Sequence, residues 1–295
     1  RHRTGGATVS GALRRVLATA LLTLAGLGAG PVRVAGGLAT FNVATYNLRL
    51  NTEDDGPDQW PQRRDAVLAL IRYHELDLLG TQEGLPDQIA DLAQMGEFDH
   101  VGVGRDDGRD AGEHSSIFFR TARFALLAHG DFWLSETPDS PSVGWDGRCC
   151  KRLSTWARLR DRRTGKSFVV FSSHFDHEGV VARRESARLI LRKAGELARG
   201  LPVICLGDFN STPEADAAQI LASRWRDARL ASRTPPYGPV GTFNGFRLDA
   251  PLADRIDYIF VSGQFDVLRY ATLTDSYNGR YPSDHLPVVA RIALR

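Results

Sequence analysis

"PVICLGDFNSTP", residues 202–213, begins as an apolar run and ends in Asp208, Asn210 and a proline. Residues 202–205 have the composition of a buried strand, and Asp208 stands where that strand should end. In an extended backbone alternate side chains share a face, so Asp208 and Asn210 would point the same way. A carboxylate beside a carboxamide suits a metal-bound water or a phosphate oxygen. The same two residue types also start turns, because their side chains hydrogen-bond the local backbone. Taken alone, the stretch leaves both readings open.

Working outward, the pattern recurs. "TYNLR" brings Asn47 to the end of a strand-like run over 41–48, and "LLGTQEG" brings Glu83 to the end of another. "VVFSSHFDHEG" ends an apolar strand in His174. "RIDYIFV" carries Asp257 within Ile, Tyr, Phe and Val, and "YPSDHLPVVA" sets Asp284 and His285 just before a last strand. Each residue alone has an ordinary explanation as a cap, an edge charge or a turn former. Together they are harder to dismiss, because unpaired buried carboxylates are costly. If these strand ends converge, they form a hydrolytic metal site.

Further strands are expected at 99–104, 115–120, 124–128, 154–161, 167–174, 202–207, 256–261, 266–273 and 287–293. Helical periodicity appears over 61–74, with Val67, Leu70 and Ile71 on one stripe, and over 180–199, stopped by Gly200 and Pro202. About ten strands with few helices imply two packed sheets with helices outside. No linker divides the chain from Phe41 onward. The polar stretches 104–114 and 135–152 read as loops.

The net charge of +2 hides an asymmetry, since residues 1–40 hold five arginines and no acid, leaving −3 for the rest. The body therefore lacks the global basic field of a general nucleic-acid binder. Residues 1–40 read as a leader: a basic stretch through Arg14-Arg15, an apolar run over 16–30, then small residues. Export to the cell envelope or beyond is expected, with an uncleaved membrane anchor as the alternative. Three cysteines cannot all pair within one chain; Cys205, inside an apolar run, reads as a small buried hydrophobe.

The set "NLR", "QE", "SSH", "GDFNSTP", "RIDYIF" and "SDHLPV", in this order, resembles the endonuclease/exonuclease/phosphatase superfamily, the DNase I-like group, over nearly all of 41–295. The blocks "FWLSETPDSPSVGWD" and "GTFNGF" resemble a bacterial branch without an assigned substrate. The resemblance implies a four-layered α/β sandwich, two central mixed sheets flanked by helices, that hydrolyses phosphate esters with Mg²⁺ or Mn²⁺. It implies metal binding at Glu83, with Asn47 and Asp284 binding or orienting the ion and its waters. Asp208 would align or deprotonate the attacking water and Asn210 would contact phosphate. His285 would act on the phosphate with Asp257 fixing its tautomer, and His174 would stand near the leaving group. One departure is Ser172-Ser173-His174, where many relatives read Asn-Thr-His. His114 and His177 are left between substrate contacts and loop residues.

The resemblance does not name the ester. A phosphodiesterase, most broadly a nuclease, comes first, with Arg49, Trp60, Arg105, Arg109, Trp145, Arg148 and Phe246 available to hold phosphates and stack bases. A phosphomonoesterase for small soluble or lipid-derived phosphates is the alternative, and a non-catalytic binding module is third. No stable protein partner is implied.

Overall fold

The computed structural model describes residues 39–295. The expected leader thus lies outside the described residues, apart from its last two positions. Among the described residues no helix is long and apolar enough to cross a membrane.

Among the described residues, twelve strands form two six-stranded sheets. The first contains β1 (Thr40–Asn47), β2 (Leu78–Gln82), β3 (Phe98–Val101), β4 (Ile117–Arg120), β11 (Phe265–Thr272) and β12 (Val288–Leu294), in the order β11-β12-β1-β2-β4-β3. The second contains β5 (Phe124–Trp133), β6 (Leu153–Asp161), β7 (Ser167–His174), β8 (Val203–Asp208), β9 (Arg226–Asp227) and β10 (Asp257–Val261), in the order β5-β6-β7-β8-β10-β9. Both are mixed, since β1 runs parallel to β2 and β7 to β8 while their other neighbours are antiparallel.

Period-two alternation builds the layers. Along β1, Phe41 and Val43 join the core between the sheets, while Ala44 and Tyr46 pack outward against α1 (Trp60–Tyr73) and α2 (Pro86–Ala93). Along β8, Ile204 and Leu206 face the first sheet. Val203 and Cys205 face α3 (Val180–Ala198) and α4 (Asp216–Ala222). Helix, sheet, sheet and helix are the four layers expected. A fifth short helix, α5 (Ala228–Ala231), packs against β10 and β11.

At the strand ends away from the polar motifs, buried Arg123 joins the sheets. It donates to both carboxylate oxygens of Asp161 (2.9 and 3.0 Å) and to the carbonyl of Thr40 (3.0 Å). Nearer the polar ends the sheets leave no room for a side chain at Gly80. A Cβ there would meet Leu206 Cδ1 at 2.0 Å and Ser172 Oγ at 2.8 Å. A short serine therefore fits position 172, where it accepts a hydrogen bond from Gln82 (3.3 Å).

Several elements depart from the sequence expectation. The αL residue that ends α3 is Arg199 (φ 49°), followed by Gly200 in the same region (φ 88°). Helices α2 and α4, with eight and seven residues, are too short for periodicity to stand out, as is the two-residue β9. Cys149 and Cys150 are joined to each other, and Cys205 is a buried free thiol whose pKa burial pushes up.

Candidate active site

The same alternation that builds the inter-sheet core delivers the polar residues. Two positions beyond Leu206 on β8 is Asp208, beyond Val170 on β7 come Ser172 and His174, and before Ile259 on β10 is Asp257. On β1 the series 41, 43, 45 ends at Asn47. Register sets His174 and Asp257 on either side of Asp208. The apolar face of the sandwich thus ends in carboxylates, an amide and an imidazole.

Two residues reach the site by leaving the strand conformation. Glu83 would fall on the helix side if β2 continued, but φ of +61° turns it back. Asn210 has φ of +44°, and its N–H donates to Asp208 Oδ1 (3.0 Å). Asp208 therefore caps a turn with Oδ1, as the turn reading expects, and turns Oδ2 toward Asn47 and the two histidines. Shared extended geometry is not what aligns the pair. Left-handed conformations at non-glycine residues carry strain that surrounding structure must hold.

Asn47 donates from Nδ2 to Glu83 Oε1 (2.8 Å) and Asp208 Oδ2 (3.0 Å), while its Oδ1 accepts from the Arg49 N–H (2.9 Å). That backbone donor fixes the amide orientation, so Asn47 orients carboxylates with its nitrogen. Asp208 Oδ2 lies 3.5 Å from His174 Nε2 and 3.7 Å from His285 Nε2. Nδ1 of His285 pairs with Asp257 Oδ2 (2.9 Å), which also accepts from Thr242 Oγ1 (2.6 Å). Asn210 donates to the Phe175 carbonyl (3.1 Å) and sits 3.2 Å from His174 Nε2.

Burial and crowding set the charges. Burial, then the neighbouring Asp257, push the Asp208 carboxyl up to about 7. Burial also raises Asp284. For His285 burial works downward, but Asp257, Asp208 and Asp284 outweigh it, and its pKa stands well above the usual histidine range. His174 moves well below that range, through burial and then the charges of Arg152 and Arg105.

A cavity of about 440 Å³ opens over this group. Glu83, His174, Asp208, Asn210, Asp284 and His285 line it, and Asp257 stands behind His285. Arg49, Arg105 and His177 line it too, whereas buried His114 contacts the Gly84 carbonyl instead (3.2 Å). Trp60 packs in the α1/α2 core, Trp145 against the α3/α4 core and Phe246 beneath Arg63, so none of them offers a stacking face in the cavity.

Three lining residues were not legible as site residues. Arg152 donates to Nδ1 of both His174 (2.9 Å) and His177 (3.0 Å). Glu113 accepts from Arg105 (2.6 Å), and Phe243 lies against His285. All three stand in or beside irregular segments, where no period marks an inward-facing position; the signal for Glu113 and Arg152 is the length of the two polar loops, and Phe243 falls in the block "GTFNGF".

The residues fit a divalent cation. One ligand atom each from Glu83, His174 and Asp208 lie within 4.8 Å of one another, and Asp208, Asp257 and His285 form a second such group. Asp284 lines the same cavity outside both tight groups. Carboxylate oxygens dominate, as Mg²⁺ and Mn²⁺ prefer. Burial first, and then the neighbouring Asp257 and Glu83, raise the carboxyls of Asp208 and Asp284, and a cation would relieve that cost.

The family model for the endonuclease/exonuclease/phosphatase family matches residues 39–285. An endonuclease/exonuclease/phosphatase family protein of Bacteroides thetaiotaomicron is 40% identical, with a TM-score of 0.84, over 88% of this chain and 96% of that one. The mannosyl-6-phosphatase Bt3783 of the same organism is 41% identical, with a TM-score of 0.83, over 86% of this chain and all of that one (100%). The human nocturnin catalytic domain shares the fold at 20% identity and a TM-score of 0.68, over 87% of this chain and 94% of that one. An uncharacterised protein of Acanthamoeba polyphaga mimivirus, L388, is 23% identical over 160 residues, 52% of this chain; the matched part is 60% of that protein's length.

Proposed function

Because the chain belongs to the endonuclease/exonuclease/phosphatase family, whose members hydrolyse phosphate esters, we propose that it is a divalent-metal-dependent phosphomonoesterase acting on a small soluble ester. The observation that carries the monoester reading is the set of guanidinium groups of Arg49, Arg105 and Arg152 around one compact cavity. A monoester dianion bears more charge than a diester and needs more cationic partners. The sequence places the diester first on the nucleases of the resembled family and on the arginines and aromatics of its loops. With Trp60, Trp145 and Phe246 packed elsewhere, the aromatic part of that support falls away. Similarity to a mannosyl-6-phosphatase along that protein's whole length makes a sugar 6-phosphate the first ester to test.

The residues divide the work of an in-line attack of water on phosphorus. Asp208, with its carboxyl near neutrality, accepts the water's proton, and Asn47 holds that carboxylate in place. His285 stays protonated between Asp257 and Asp208 and donates from Nε2 to a phosphoryl oxygen. His174 accepts from Arg152 at Nδ1, which puts its proton on Nε2, 3.5 Å from Asp208 Oδ2, and it binds phosphate as a neutral donor. A Mg²⁺ or Mn²⁺ ion held by Glu83, with Asp284 and Asn47 supporting it, would neutralise charge on the phosphoryl oxygens. Export through the leader over 1–40 belongs to the same proposal and would set the domain of 41–295 outside the cytoplasm.

The test is parallel turnover of p-nitrophenyl phosphate, bis(p-nitrophenyl) phosphate and a hexose 6-phosphate with Mg²⁺, against an EDTA control and His285→Ala. Monoester hydrolysis lost in both controls supports the proposal. Faster diester turnover would return a phosphodiesterase to first place, and Mg²⁺ binding without hydrolysis of any ester would favour the binding module.

A further inference from the structure

Phe243 is 46% exposed, and among the large exposed apolar side chains of the described residues it is the one that lines the site cavity. Its loop is tied to the segment carrying Asp284 and His285. The N–H groups of Asn244 and Gly245 donate to the Asp284 carbonyl (2.8 and 3.1 Å), and the Leu286 N–H donates to the Thr242 carbonyl (2.7 Å). The Asn244 amide also donates to the Ser283 carbonyl (3.1 Å). The backbone that carries the ring is therefore fixed relative to the phosphate site. It meets the His285 imidazole edge-to-face, centroids 5.1 Å apart, which leaves ring surface open to the cavity.

A half-exposed aromatic on a backbone held this firmly at the mouth of a charged cavity gains little from packing and offers a flat apolar surface to a ligand. The geometry points to Phe243 as the platform on which the leaving alcohol rests, and to a cyclic sugar as that alcohol. The inference rests on the monoester reading above and adds the residue that selects among esters. A pyranose ring presents a face of C–H groups and a rim of hydroxyls, and the cavity matches both. Phe243 and Ile256 supply apolar surface, while His177, which the phosphate does not use, supplies a polar partner for the rim. A nucleobase binds best between two aromatic faces, and Phe243 is the lone Phe, Tyr or Trp lining the cavity among the described residues. An open-chain alcohol gains little from a flat platform.

The test compares kcat/KM for a hexopyranose 6-phosphate, glycerol 3-phosphate and a nucleoside 5′-monophosphate in the wild type, Phe243→Ala and Phe243→Tyr. The wild type should prefer the hexose ester. Alanine should lower the hexose-to-glycerol ratio about tenfold, equivalent to about 1.4 kcal/mol. Tyrosine should restore the ratio to within about twofold. A disturbance of His285 would slow all esters alike, so the ratio isolates the platform. An unchanged ratio in the alanine variant, or a wild-type preference for the nucleotide, overturns the inference. If the wild type cleaves no monoester, the functional proposal fails separately, and calorimetric binding of the hexose phosphate decides the platform. Tenfold weaker binding to the alanine variant supports it, and equal binding overturns it.

Discussion

Replacing Asp257 by asparagine removes one charge from a buried group of acids while keeping shape and volume. The carboxylate lies 2.9 Å from His285 Nδ1 and accepts a second hydrogen bond from Thr242 at 2.6 Å. At an effective dielectric of about 20, a charge pair at that distance interacts by roughly 6 kcal/mol, most of which an amide cannot supply. Loss of a carboxylate that orients a histidine in a hydrolase typically lowers kcat by about 10⁴-fold, or about 5 kcal/mol, the same order. Asp257→Asn should therefore lower kcat by about 10³- to 10⁴-fold with little change in KM. Stability should fall as well. Relief of the repulsion that Asp257 exerts on Asp208 offsets only part of the lost pairing with protonated His285, so the metal-free melting temperature should drop. Steady-state kinetics on a monoester together with thermal melting in EDTA check both halves. A fall in kcat of less than tenfold would refute the orienting role. An unchanged or raised melting temperature would refute the claim that the Asp257–His285 pair stabilises the fold.

Other consequences follow from the same geometry. Because the Asp208 carboxyl is held near 7 in the fold against about 3.9 in an unfolded chain, its contribution to stability is present at low pH and is lost as pH rises through 7. Asp208→Asn should thus raise the metal-free melting temperature more at pH 8 than at pH 5; an equal rise at both would sink the argument. Mg²⁺ should raise the wild-type melting temperature at pH 8, and Glu83→Gln should remove most of that shift and of the activity, so a full shift in the variant would exclude Glu83 as the main ligand. Arg123→Ala strands the buried Asp161 carboxylate and should cost about 3–5 kcal/mol in urea unfolding, whereas a loss below about 1 kcal/mol would mean that solvent reaches Asp161.

The site was more legible than several fold elements, and the reason lies in the strands. A buried strand that ends in a polar residue declares both its face and its end, so Asn47, His174, Asp208 and Asp257 could be read as a converging set. Period-two runs identified most strands, and 3.6-residue periodicity found α1 and α3, while α2, α4 and β9 were too short to show a period. The cysteines illustrate the opposite case. Spacing alone did not pair Cys149 with Cys150, because adjacency says nothing about backbone conformation.

By itself, the sequence determined the two-sheet sandwich and the chemical character of its polar rim, because alternation along each strand is a local property. Only the tertiary structure decided how that rim works. The left-handed backbone that turns Glu83 and Asn210 inward depends on contacts from other strands. The link from Arg152 to two histidines spans more than 20 residues, and Phe243 meets His285 across more than 40 positions. Such contacts follow from loop closure across the sheets, and no periodicity in the chain encodes them.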